Sequence, residues 1–136
     1  MTPLRQNLHR LEESIARACR KSNRPRSEVE LMAVSKTYPA TTIVEAAELG
    51  LRIFGENRVQ EFALKAPELA SLRADGSNAA ADQPILVHLI GHLQSNKAAR
   101  AVELFDAIDS RLARRIGPGR AARNAGRQFQ RQQRLA

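Results

Sequence analysis

Lys36 is the residue whose type and setting point most directly to chemistry. It follows the run Glu30-Leu31-Met32-Ala33-Val34-Ser35 and precedes Thr37-Tyr38-Pro39. An apolar run of this length, closed by a proline, reads as a buried strand of a parallel sheet. Lys36 then sits at the carboxyl end of that strand, where open α/β sheets and barrels place their reacting groups. Apolar neighbours would strip water from its ammonium and leave an amine able to attack an aldehyde. The alternative is a strand-end lysine whose stem packs while its head reaches water. This stretch alone leaves both readings open.

Three further polar clusters follow apolar runs. Gly55-Glu56-Asn57-Arg58-Val59-Gln60-Glu61 follows Leu51–Phe54. His88 lies within Ile85–Ile90, and Gly91-His92-Leu93-Gln94-Ser95-Asn96-Lys97 follows that run. Asp109-Ser110 follows Phe105–Ile108. Asn57 can cap a following helix. His88, from a strand interior, can be packed and hydrogen-bonded or can face a ligand. Gly91 permits close backbone approach at the rim. Lys97 can be a solvated cation, or can answer a phosphate or an acidic partner. No His/Cys/Asp/Glu cluster has metal-ligand spacing, and no Ser-His-Asp pattern is suggested.

The elements that position these residues alternate in type. Residues 3–22 read as an amphipathic helix, with Leu4, Leu8, Leu11, Ile15 and Ala18/Cys19 on one face. Strand 30–35 is followed by a helix capped at Thr41 or Thr42, with a Thr42–Glu45 capping box and a stop at Gly50. Strand 51–55 leads into helix 57–66, which Pro67 closes. After a small-residue loop at 74–84, strand 85–90 precedes a helix capped by Ser95 or Asn96. Strand 105–108 precedes a helix begun by Asp109-Ser110 and broken at Gly117-Pro118-Gly119. Strands alternating with helices predict an α/β fold with a parallel sheet. No GxGxxG follows the first strand, so a dinucleotide-binding sheet is unsupported. A TIM-type (β/α) barrel fits better. A closed one takes about 200–250 residues and eight strands. About four β/α units and a leading helix are present, which is the N-terminal half of such a barrel. If all four strands belong to one barrel, their polar ends converge on one rim.

The net charge of +8 suggests a nucleic-acid binder. Its distribution argues otherwise. Eight arginines and no acidic residue fall in 111–136, leaving 14 of the 22 basic residues to balance 14 acidic ones in 1–110. The chain divides into a barrel portion, 1–116, and a basic tail, 117–136, that reads as disordered or non-native. The single cysteine, Cys19, reads as a buried structural thiol and excludes an internal disulfide. No apolar stretch has the length of a membrane span, and the N-terminus has no apolar signal core. A cytoplasmic protein is expected.

AVSKTYP (33–39), FGENRVQE (54–61), HLIGHLQSNK (88–97) and AIDS (107–110), in this order, closely resemble the pyridoxal-phosphate homeostasis proteins. That single-domain family is related to the alanine racemase barrel. The resemblance covers about residues 4–116. It implies a (β/α) barrel holding pyridoxal 5′-phosphate as a Schiff base on the lysine after the first strand, here Lys36. It also implies a role in cofactor supply and buffering, directed at pyridoxal-phosphate-dependent apo-enzymes, with no established catalytic reaction. Asn57 is then placed to hydrogen-bond the cofactor's ring or hydroxyl, with His88 and Gly91 as further cofactor-binding candidates.

Nothing after Ile116 resembles the family. The later strands and phosphate-binding loops that the resemblance implies are absent, so the end reads as truncated or frameshifted near 110–118. Half a barrel leaves open sheet edges and an uncovered apolar face, which predicts self-association, and loss of the phosphate anchors predicts weakened cofactor binding. Two other functions are weighed. An alanine-racemase-like enzyme needs a second base, a tyrosine from an additional domain. The one tyrosine here is Tyr38, close to Lys36. Non-specific nucleic-acid binding through the arginine tail is the other, but Phe129 is that tail's single aromatic and offers no stacking platform.

Overall fold

The computed structural model describes residues 2–74 and 84–109. The tail from 117, the loop at 75–83 and the helix expected after Asp109 lie outside the described residues. Helix α1 (Pro3–Lys21) opens with proline in its first turn, where the missing N–H costs nothing. Thr2 caps it, its Oγ1 accepting from Arg5 N–H at 3.3 Å. A 3₁₀ turn (Arg26–Glu28) leads to β1 (Met32–Val34). Then follow α2 (Ala40–Glu48), β2 (Ile53–Glu56), α3 (Val59–Ala74), β3 (Leu86–Leu89), a 3₁₀ turn (Ser95–Lys97), α4 (Ala98–Leu104) and β4 (Ala107–Ile108).

The four strands form one sheet in the order β1-β2-β3-β4, each pair parallel. Strand register separates two faces, because successive side chains alternate. Ala33, Phe54 and Val87 form one row across the sheet. These residues belong to or pack on the core with Ile43, Ala47, Phe62, Leu69 and Ala101 from the helices. Phe62 of α3 meets Phe105 with ring centroids 5.0 Å apart. Val34, Gly55, His88 and Ala107 form the neighbouring row on the opposite face. The alternation of strand and helix and the parallel sheet match expectation, and among the described residues three consecutive β/α units followed by β4, all in one parallel sheet, are consistent with part of a barrel.

Several local expectations are corrected. The strand around residues 30–35 is not a buried one. It is the edge of the described sheet, and Val34 is 48% exposed. Burial of a strand depends on its neighbours, and among the described residues β1 has a neighbour on one side only. Pro67 does not close a helix at 66; it lies inside α3 on an exposed position. Its missing N–H weakens one turn, but buried Phe62 and Leu69 anchor the helix on either side of it. The Thr42–Glu45 capping box does not form. Helix α2 already starts at Ala40, with Pro39 at its cap and no side-chain cap bond. Ser95 and Asn96 lie in the 3₁₀ turn, and α4 likewise begins without a side-chain cap. Gly50 does act as the stop after α2: its φ is +100°, and its N–H donates to Ala47 O at 3.0 Å.

Candidate functional site

The carboxyl end of β1 is built by a buried polar network. Ser35 N–H donates to Gly55 O at 2.9 Å, the last ladder bond between β1 and β2. The chain then turns through Lys36 and Thr37, and Tyr38 N–H closes the turn on Ser35 O at 3.1 Å. Thr37 has φ +67°. For a β-branched residue this left-handed geometry is strained, by about 1–3 kcal/mol. Thr37 N–H donates to the Glu61 carboxylate from the first turn of α3. Beneath the turn lies Glu56, which is 0% exposed. Its Oε1 accepts from Ser35 Oγ at 2.7 Å and from Lys65 Nζ at 2.7 Å. Lys65, 8% exposed, also donates to Ser35 O at 3.0 Å and stands 3.8 Å from Glu61.

Lys36 itself is exposed. The desolvation expected of it is not supplied by the described residues, because an edge strand carries no wall of neighbours over its end. Its amine is open to a small molecule in solution.

His88 is buried and paired with Asp109. It is 3% exposed, and its Nδ1 lies 2.7 Å from Asp109 Oδ2. Asp109 follows β4 directly, and its N–H donates to Leu89 O at 2.8 Å, so backbone pairing of β3 with β4 aims the carboxylate at the ring.

Gly91 permits close backbone approach, as expected of it, and the backbone it admits is the chain's own. A β-carbon there would fall 2.1 Å from Asn57 O and 2.8 Å from Asn57 Cα. Helix α3 begins at Val59, so Asn57 stands one residue outside the cap position. Asn57 and Gly91 line a cavity of ≈ 480 Å³ together with Arg58, His92, Gln94 and Lys97. Lys36 and His88 are not among the lining residues. Of the four candidate residues, the structure joins Asn57 with Gly91 and sets Lys36 and His88 apart from that cavity.

Glu56, Lys65 and Glu61 were not singled out individually by the sequence, yet a signal exists. Val59, Phe62, Lys65 and Leu69 fall at helical spacing, so a lysine occupies an apolar stripe. Glu56 directly follows the apolar strand Ile53-Phe54-Gly55. A buried cation facing a buried anion satisfies both patterns.

No protein-family model matches the chain. Among curated proteins it is 40% identical to the pyridoxal phosphate homeostasis protein of Vibrio cholerae, with 79% of this chain and 43% of that one covered. It is 38% identical to the Escherichia coli protein of the same name, covering 90% of this chain and 50% of the relative. Among solved structures, an unknown protein from Bifidobacterium adolescentis superposes with a TM-score of 0.71 at 37% identity, covering 83% of this chain and 47% of that one. PipY of Synechococcus elongatus, solved with pyridoxal phosphate bound, superposes with a TM-score of 0.51 at 47% identity over 69% of this chain and 40% of its own. The chain spans about half the length of the relatives it matches. Over that span it is homologous to the pyridoxal phosphate homeostasis proteins.

Proposed function

We propose that this chain binds pyridoxal 5′-phosphate covalently through Lys36 and serves intracellular homeostasis of that cofactor, delivering it to apo-enzymes without catalysing a reaction of its own. The carrying observation is Lys36: an exposed amine at the carboxyl end of a parallel strand, in a turn held by a buried network. The residues present fit the aldehyde end of the group. Lys36 would hold the group through its aldehyde carbon, with the aldehyde oxygen and the two hydrogens of the neutral amine lost as water. Bound there, the cofactor supplies an electrophilic ring that a homeostasis protein stores instead of using. The buried His88–Asp109 pair fixes the floor of the β3–β4 end. The four strands are read as part of a (β/α) barrel spanning 1–116, with 117–136 as an appended tail. Affinity is low and exchange fast, because the described residues place no phosphate cradle beside Lys36.

The test is a titration with pyridoxal phosphate, followed by borohydride reduction and peptide mapping. A new absorbance band and a reduced adduct on Lys36 are expected. A reduced chain carrying no adduct at Lys36 rules the reading out.

A further inference from the structure

The network under the Lys36 turn retains two costs that a purely structural core would shed. Glu56 is fully buried, and its Oε2 accepts no hydrogen bond, although Oε1 takes two. A half-satisfied buried carboxylate is expensive, and an apolar pair of similar volume commonly packs as well. Thr37 holds φ +67° where glycine would sit without strain. Both costs converge on three residues of backbone, Ser35 to Thr37. Lys65 grips the Ser35 carbonyl from one side, at 3.0 Å. Glu61 grips the Thr37 amide from the other. Lys65 ties both carboxylates together, at 2.7 Å to Glu56 and 3.8 Å to Glu61. Lys36 is the one residue between the two grips.

We propose that Lys65, with Glu56 and Glu61, forms a positioning set for Lys36, locking the left-handed Thr37 turn so that the Lys36 amine projects in one direction. The proposal rests on the reading of Lys36 as the aldehyde-binding amine. Helix α3 thereby sets the aim of a lysine on another strand, and none of the three residues touches the aldehyde.

The test uses the full chain, with pyridoxal as the aldehyde probe. Glu61→Ala removes the acceptor of the Thr37 amide at a side chain that is 31% exposed, so the fold is retained. Lys65→Met removes the central cation. Thr37 amide exchange reads the turn, the rate of borohydride-fixable adduct formation at Lys36 reads the aim, and a thermal melt reads bulk stability. Glu61→Ala is expected to speed Thr37 exchange about ten-fold and slow the adduct about five-fold, the scale of one lost charge-assisted hydrogen bond, with little change in the melt. Adding Thr37→Gly restores the adduct rate to within about two-fold, since glycine enters the left-handed turn without the strain that threonine carries. Lys65→Met is expected to show the same exchange and rate changes, with a lowered melt. Wild-type Thr37 exchange and adduct rate in both variants overturns the proposal. So does a rate loss that Thr37→Gly leaves unrepaired. Lys36→Ala separates the two ideas: an undiminished adduct on another lysine discards the reading of Lys36, while Thr37 exchange still judges the positioning set.

Discussion

Gly91 lies so close to Asn57 that a β-carbon on it would sit 2.1 Å from the Asn57 carbonyl oxygen. The obstacle is backbone, which cannot rotate aside as a long side chain can. Gly91→Ala therefore has to push apart the loops that follow β2 and β3. It is expected to cost at least about 2 kcal/mol, at the upper part of the overpacking range. A urea midpoint unchanged from wild type would contradict this.

Lys36→Ala separates binding from folding. The side chain is exposed, and substitutions at such positions usually change stability by less than about 0.5 kcal/mol. The variant should melt with the parent and lose the reduced adduct with pyridoxal phosphate. Mass mapping after borohydride treatment, beside a thermal melt, checks both halves.

Asp109 satisfies a buried imidazole nitrogen at 2.7 Å. Asp109→Ala leaves that nitrogen without its partner and is expected to cost about 1–3 kcal/mol. Asp109→Asn keeps an oxygen acceptor and should cost less. The order of the two denaturant midpoints is the measurement, and Asn below Ala would refute the assignment.

The Glu56–Lys65 pair, 2.7 Å apart, predicts strong coupling. Lys65→Met alone strands a fully buried carboxylate, at a cost of about 3–5 kcal/mol. Replacing both residues by apolar ones of similar volume removes most of that penalty. A double-mutant cycle on unfolding free energy reads the coupling, and additive losses would show the pair to be independent.

The β1 edge predicts association. Val34 is 48% exposed on a strand that, among the described residues, is paired on one side, and such edges template further pairing. Sedimentation velocity should show species heavier than the 15.1 kDa monomer. Val34→Lys should return material to the monomer, because a charge on the edge blocks pairing. A wild-type chain that sediments purely as monomer would refute this.

The sequence by itself determined the order of strands and helices, their parallel arrangement, and the place of Lys36 at a strand end. Those features follow from apolar periodicity and from Pro and Gly positions, which act within a few residues of the chain. It also pointed to Gly91 as a place of close backbone approach. Tertiary structure decided the rest. Whether the first strand was buried depended on how many neighbours the sheet gave it, and Lys36 is exposed with β1 at the edge of the described sheet. Pro67 sits inside α3 because packing of Phe62 and Leu69 outweighs a local helix breaker. Register brought Asp109 to His88, and loop packing brought Asn57 to Gly91. Burial of Glu56 and Lys65 required α3 to lie across the end of β1. Contacts between residues twenty or thirty apart have no local signature, which is why the turn that holds Lys36 emerged only from the folded chain.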